Sequence, residues 1–282
     1  MHLFVTGATG FVGSNFVLAA NRAGHTVSAL RRPGSRARIA PPRSVQWIEA
    51  ALDDDLSASL ANVDCVVHLA AHTPNPPYAP LDECLYWNVY ASAKIVQAAA
   101  AAGVRDFLVA GTCFEYGLAA EGQDLIHPGS ELRPTLTYPI SKAAASVALL
   151  GLARHLGLRM QLLRIFQVYG DGEAATRFWP ALRLAAQQGR DFPMSAGVQV
   201  RDFIEVSEVA AQFVAALDFE QVDPGRPQVR NVGTGHALTL LEFARHWWAH
   251  WAATGHLLPG SVGLRPGEVA RLVPNVVDIH VA

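Results

Sequence analysis

Lysine is almost missing from this chain: of its 22 basic residues only Lys94 and Lys142 are lysines, and all the others are arginines. A sequence that uses guanidinium nearly everywhere keeps an ammonium where a compact charge must be delivered to one point, and Lys142 stands four residues after Tyr138 in Tyr138-Pro139-Ile140-Ser141-Lys142. Cysteine is scarce too. Cys65, Cys84 and Cys113 make an odd count with no CxxC spacing, which argues against a disulfide framework and a zinc site and suits a reducing compartment. Charge of one sign is lacking: the formal net charge is -2 and the arginines are dispersed, so neither nucleic acid nor an anionic membrane is an expected partner. No apolar run reaches the roughly 18 residues that a membrane span requires. The first strand-like segment begins at residue 2, so no leader is expected, and a soluble cytoplasmic protein is the natural reading.

What is present is a large apolar fraction, 51% of 282 residues, arranged in a regular rhythm. Short β-rich runs at 2–5, 27–30, 45–49, 65–69, 107–110 and 160–165 alternate with helical patterns near 12–23, 57–61, 82–102 and 139–155. That alternation predicts an α/β fold, a doubly wound parallel sheet covered on both faces. After Gly170 the rhythm loosens into a helix near 174–189, a strand-like stretch at 201–205, a Trp-rich helix near 239–253 and an irregular tail. The expected organisation is a Rossmann domain from 1–166 with about 203–235, and a smaller interwoven substrate-binding domain from about 167–202 and 236–282.

The first strand runs into Gly7-x-x-Gly10-x-x-Gly13 and then a helix, the context in which a glycine pattern becomes a phosphate-binding turn. Glycine lets the backbone approach a pyrophosphate, and the helix start offers free N–H groups. Sites that prefer NAD place an acid at the end of the second strand, whereas here Arg31-Arg32 stands there, so NADP(H) is predicted over NAD(H).

Thr137 is placed to cap a helix that Pro139 can start, so Tyr138 and Lys142 fall one above the other on one face. An adjacent ammonium favours phenolate and tunes Tyr138 toward acid/base work, while Thr112, after a strand, can hydrogen-bond the same reacting oxygen. Thr112, Tyr138 and Lys142 are therefore the candidate catalytic residues, with Lys142 also near the nicotinamide ribose.

With these motifs in place the chain resembles an extended short-chain dehydrogenase/reductase of the NAD(P)-dependent epimerase/dehydratase family, which acts mainly on nucleotide sugars. The resemblance runs through the glycine turn, His68-Leu69-Ala70-Ala71, Asn88, the triad, Tyr116-Gly117, the segment from Leu163 to Gly170, Arg201-Asp202-Phe203-Ile204, the segment from Asn231 to Gly235, and Arg265-Pro266-Gly267-Glu268. It implies that Thr9, Phe11 and Val12 join the three glycines at the cofactor, together with Leu52, Leu69, Ala70, Ala71, Ile165 and Phe166. It further implies that Arg201 and Arg265 hold a sugar-nucleotide diphosphate. His72, Thr73 and Cys113 follow strand ends, where open α/β sheets bind ligands, and Phe114 and Gln167 are also expected at the substrate.

Departures from the family pattern narrow the reaction. Cys113-Phe114 stands where 4,6-dehydratases place Asp-Glu, so dehydration is not expected. Ala51 replaces an adenine-contacting Asp, with Asp53, Asp54 and Asp55 nearby, Gln167 replaces an Asn, and the sequence ends at Ala282, before a final segment many relatives carry. The expected activity is NADP(H)-dependent reduction of a keto group on a nucleotide-activated deoxysugar. The alternatives are a nucleotide-sugar epimerase, a reductase of a non-sugar ketone or aldehyde, and a non-catalytic NADP-binding regulator. A homodimer is expected through the small-residue surface of Ala143, Ala144, Ala145, Val147 and Ala148. No metal is expected, because His246 and His250 share a helix face but lack further ligands. Trp247, Trp248 and Trp251 read as packing residues.

Overall fold

The computed structural model describes residues 1–264, 269–276 and 279–280. Fifteen strands and seven α-helices are formed among them. The strands are β1 (His2–Thr6), β2 (Thr26–Arg31), β3 (Gln46–Glu49), β4 (Cys65–His68), β5 (Asp106–Thr112), β6 (Arg159–Ile165), β7 (Gln167–Tyr169), β8 (Phe192–Met194), β9 (Val200–Arg201), β10 (Phe203–Glu205), β11 (Gln228–Val232), β12 (Leu238–Thr239), β13 (Leu257–Pro259), β14 (Arg271–Leu272) and β15 (Ile279–His280). The helices are α1 (Phe11–Arg22), α2 (Leu81–Leu85), α3 (Ser92–Ala101), α4 (Thr137–Leu156), α5 (Phe178–Gln187), α6 (Val206–Ala215) and α7 (Leu240–His250).

The main sheet has the order β15-β11-β6-β5-β4-β1-β2-β3. Its seven strands from β11 to β3 are parallel, and β15 adds an antiparallel edge. This is the doubly wound α/β fold that the strand–helix rhythm predicts. Its strands are apolar on both faces because both faces are covered. Side-chain alternation splits β1 between two cores: Leu3 and Val5 pack with Phe16, Val17 and Phe213 from α1 and α6, while Phe4 packs with Ile95, Leu149 and Met160 on the opposite side. The order in which strands are added reverses between β1 and β4, so a crevice opens at their carboxyl ends.

Several elements differ from the sequence-based expectation. The helix predicted over 82–102 is interrupted by a π-helical turn, Tyr86–Ala91, of a kind that tends to mark functional sites. The 57–61 helix is one 3₁₀ turn, and the 174–189 helix begins only at Phe178. The predicted strand 201–205 is cut at Asp202: β9 joins β12 and β14, and β10 joins β7. The buried Asp202 carboxylate accepts from the Thr234 N–H and hydroxyl and from the His236 N–H, which explains the break. Leu136, not Thr137, is the N-cap of α4, and the Thr137 hydroxyl donates to the Ala79 carbonyl (2.8 Å). Helix α6 and the short strands beyond β6 other than the 201–205 pair were not anticipated. Among the described residues no helix is long and apolar enough to cross a membrane.

Candidate functional site

A cleft of about 800 Å³ lies over the carboxyl ends of the central strands. Its floor is the glycine turn. Gly7 has φ +69°, and a Cβ there would sit 2.5 Å from the Ala70 nitrogen; a Cβ on Gly13 would sit 2.0 Å from the Gly7 oxygen. A side chain at Gly7 would force the turn off the segment after β4, and one at Gly13 would force α1 off the turn. Helix α1 starts immediately afterwards with no side-chain cap on Gly10 and no acid in its first turn. Its first N–H groups therefore remain for an anion. Thr9, Phe11 and Val12 line the same wall. These residues fit a dinucleotide pyrophosphate.

At the far end of the cleft lie Leu30, Arg31, Arg32, Ala50 and Leu52, together with Arg38, which the sequence reading missed. Arg31 is not a free cation. Its guanidinium pairs with Glu49 at 2.6 Å and stacks over Trp47 at 5.1 Å, because β2 and β3 register Arg31 opposite Glu49. Arg32 and Arg38 are exposed on the cleft. None of Asp53, Asp54 and Asp55 lines it. Asp53 accepts from the Tyr86 hydroxyl and, through its carbonyl, from Lys94; Asp54 accepts from the Ala51 N–H. The second lysine is thus a local staple.

The structure brings Thr112, Tyr138 and Lys142 into one cleft with the glycine turn. Thr112 ends β5 and caps a 3₁₀ turn (Cys113–Glu115); its hydroxyl accepts from the Phe114 N–H at 3.4 Å, and its own N–H donates to the Glu115 carboxylate at 2.9 Å. Tyr138 is 6% exposed and its ring lies 5.4 Å from that of Tyr78. Burial pushes its phenol up, and Glu115, Tyr78 and Cys113 add to the shift; the opposing cation is Arg177. Lys142 is engaged by the main chain and not by the phenol. Its Nζ donates to the Ala110 carbonyl at 2.9 Å, and burial lowers its pKa against the pull of Glu115. A buried ammonium takes the nearest carbonyl to replace lost water.

Supporting residues hold this geometry. The His68 ring bonds Thr6 Oγ1 (2.8 Å) and Ser92 Oγ (2.9 Å), and burial followed by Lys142 holds it down to about 3, neutral at all ordinary pH. Within the π-helical turn, Asn88 accepts from the His72 N–H (2.7 Å) and donates to Ser141 Oγ (2.9 Å), whose hydroxyl donates to the Tyr138 carbonyl (2.8 Å). This chain links the loop after β4 to α4. Thr73 has φ +45°, a strained value for a branched residue, and lines the cleft.

Leu69, Ala70, Ala71, Ile165 and Phe166 line the cleft, as do His72, Phe114 and Gln167. Cys113 and Arg201 do not. Cys113 is buried in a small apolar cluster with Tyr116 and Phe166, and burial pushes its thiol up to about 12. Arg201 is 5% exposed and donates to the carbonyls of Val200 and Ala270. Arg265 falls outside the described residues. Glu83, Glu173 and Arg177 also line the cleft and carried no sequence signal. Glu83 and Arg177 fall inside predicted helices and Glu173 just before one, with no motif to set them apart from surface charges.

The model of the NAD dependent epimerase/dehydratase family matches residues 3–233. A UDP-glucose 4-epimerase of Corynebacterium glutamicum is 28% identical over 98% of this chain and 87% of its own length. A dTDP-glucose 4,6-dehydratase of Mycolicibacterium smegmatis is 33% identical over 74% of this chain and 66% of its own. Among solved structures, MoeE5 in complex with UDP-glucose and NAD superposes with a TM-score of 0.82 at 28% identity, covering 98% of this chain and 90% of that one.

Proposed function

Because the chain belongs to the NAD dependent epimerase/dehydratase family, and so is an oxidoreductase-type enzyme of the extended short-chain kind, we propose that it reduces a keto group of a nucleotide-activated deoxysugar with NADP(H). One observation carries the reading: a buried, protonated Tyr138 shares a cleft with Thr112, Lys142 and a dinucleotide-shaped glycine turn. Bound NADPH supplies the hydride. Tyr138 and Thr112 donate to the carbonyl oxygen, and Tyr138 gives up its proton as negative charge develops there. Lys142, whose Nζ rests on the Ala110 carbonyl, would hold the ribose. Segments 167–202 and 236–282 supply the sugar-binding side. Cys113-Phe114 puts no acid and base for water elimination on the cleft beside Thr112, since the neighbouring Glu115 carboxylate is buried against Arg164.

A second reading, epimerisation by oxidation and re-reduction, is favoured by the near full-length likeness to a UDP-glucose 4-epimerase. It would start with Tyr138 taking a proton, which burial disfavours. Incubation with NADPH and 4-keto-6-deoxy nucleotide sugars separates the two: net NADPH oxidation is expected, while sugar interconversion without it would establish the epimerase.

Preference for NADP(H) is supported by Arg32 and Arg38 on the cleft and by the lack of an acid at the end of β2. Replacing both arginines by Ala is expected to raise KM for NADPH by about 10–100-fold, the scale of one or two charge-assisted hydrogen bonds, and to leave KM for NADH nearly unchanged. A wild type that prefers NADH would overturn this. The three free, buried cysteines support a reducing, cytoplasmic setting.

A homodimer is supported by the outer face of α4, where Val147 is 65% exposed between half-buried Ala144 and Ala148. Sedimentation at twice the chain mass is expected, falling to one chain for Val147→Glu; a monomeric wild type would remove the proposal.

A further inference from the structure

Glu173 lies in the loop between β7 and α5, within a segment that the sequence assigned to the sugar side. Its side chain is only 6% exposed, yet it lines the cleft. One carboxylate oxygen accepts from Arg177 Nε at a long 3.4 Å. The other, Oε2, is buried and has no hydrogen-bond partner among the described residues.

Contacts made by the two preceding residues fix which part of the cleft this loop borders. The Asp171 carbonyl accepts from Asn15 Nδ2 of α1 at 3.0 Å. Gly172, at φ +92°, packs on the loop between β2 and β3: a Cβ there would lie 3.1 Å from Ile39 Cδ1 and 3.4 Å from Arg38 Cβ. That second loop is pinned to the glycine turn, since the Arg38 N–H donates to the Thr9 carbonyl at 3.2 Å. Residues 171–173 therefore run against α1 and Arg38, beside the turn that fits a pyrophosphate and the end of the cleft that fits an adenosine ribose.

A buried acceptor with no donor costs stability unless a ligand completes it. Along this half of the cleft a dinucleotide presents ribose hydroxyls and phosphate oxygens. Burial pushes the Glu173 carboxyl up to about 7, against the opposing pull of Arg177 and the Gly170 main chain. Near neutrality the group can thus accept from a hydroxyl or, protonated, donate to a phosphate oxygen. Either partner belongs to the backbone that NADPH and NADH share.

We infer that Glu173 is a cofactor-binding residue, its carboxyl completing a hydrogen bond with the ribose–pyrophosphate backbone of the dinucleotide. The inference rests on dinucleotide binding by this family, and neither on the choice between NADP(H) and NAD(H) nor on that between reduction and epimerisation.

The test is fluorescence titration of the wild type, Glu173→Leu and Glu173→Gln with NADPH and with NADH, beside melting of each apoprotein. The Leu variant keeps the volume and removes both oxygens; the Gln variant keeps the reach and offers one donor and one acceptor. Glu173→Leu is expected to raise Kd for both dinucleotides by about tenfold, the scale of one hydrogen bond to a group that can carry charge, and Glu173→Gln by less than about threefold. An equal loss for the two dinucleotides sets this residue apart from Arg32 and Arg38, whose removal should act on NADPH alone. The Leu apoprotein should melt at or above the wild-type temperature, because the unpaired oxygen is gone. Kd values within about twofold of wild type for both dinucleotides would overturn the inference, and so would a loss confined to NADPH. A Gln variant as weak as Leu, or a Leu apoprotein that melts below wild type, would equally overturn it, by tracing the effect to the shape of the loop. A wild type that binds neither dinucleotide would overturn the dinucleotide reading itself.

Discussion

Tyr138→Phe is expected to lower kcat for carbonyl reduction by about 10²–10⁴-fold, the contribution of a positioned general acid, while NADPH affinity changes by less than about twofold. The ring that remains still lies beside Tyr78, 5.4 Å between centroids, so the substitution removes one hydroxyl and little packing. Burial is what makes the phenol a proton donor. It raises the pKa from an ordinary value near 10, and Glu115, Tyr78 and Cys113 act in the same direction, with Arg177 opposing. The acid form is thus fully populated below that range and is lost only as pH rises through it, so kcat for reduction should show no basic limb below about pH 9. A Phe variant within tenfold of wild type, with a wild-type pH profile, would mean another group delivers the proton.

The same argument separates the directions of chemistry. Oxidation of a sugar hydroxyl needs Tyr138 as a base, and in this cleft the phenolate lacks a contacting ammonium because Lys142 Nζ is held by Ala110. Reduction needs nothing further from the phenol. A cation that moved to within contact of Tyr138 would reverse this preference, and Arg177, already electrostatically coupled to the phenol, is the one placed to do it.

What the sequence made legible had local causes. The parallel sheet was readable because apolar runs of strand length alternate with helices, and the glycine turn because strand, glycines and helix follow one another without a gap. Tyr138 and Lys142 were readable because four residues is one helical turn. What was missed depends on distant partners. Glu49 stands opposite Arg31 only through the β2–β3 register, so an arginine pair that looked free is half committed. Thr137 reads as a cap until Ala79, 58 residues earlier, offers its carbonyl. Asn88 was matched through the resemblance, but the π-helical turn that aims it at His72 and Ser141 was not read from the sequence. Glu173 and Arg177 are an ordinary i,i+4 ion pair in sequence; their burial on the cleft wall comes from the fold.

Breaking the ion pair beneath the site should have the largest effect on stability. Glu115 is fully buried and Arg164 is 3% exposed; Arg164 Nε donates to Glu115 Oε2 at 2.8 Å, with Ser146 Oγ donating to the same oxygen at 2.7 Å. Burial works against the Arg164 charge, yet Glu115 and the Tyr116 hydroxyl outweigh it and hold the guanidinium above its ordinary pKa. Arg164 Nη1 donates to the Tyr116 hydroxyl and the Pro128 carbonyl, and Tyr116 in turn donates to Asn231 on β11 at 2.6 Å. β5, β6, β11 and α4 are thereby joined behind Thr112. Even Gly111 answers to it, since a Cβ there would lie 2.8 Å from Glu115 Oε1. Arg164→Met leaves a buried carboxylate without its cation and is expected to cost about 3–5 kcal/mol, lowering Tm by roughly 6–15 °C for a chain of this size. The paired change Glu115→Leu with Arg164→Met removes both charges and should recover most of that loss, because the desolvation of two ions disappears with their attraction. Catalysis should not recover with it: the Thr112 N–H loses the acceptor that fixes the strand end, so kcat should stay below wild type while KM for NADPH is kept. A single variant that melts within about 2 °C of wild type, on the same scale, would show that this network holds the site in place without holding the fold together.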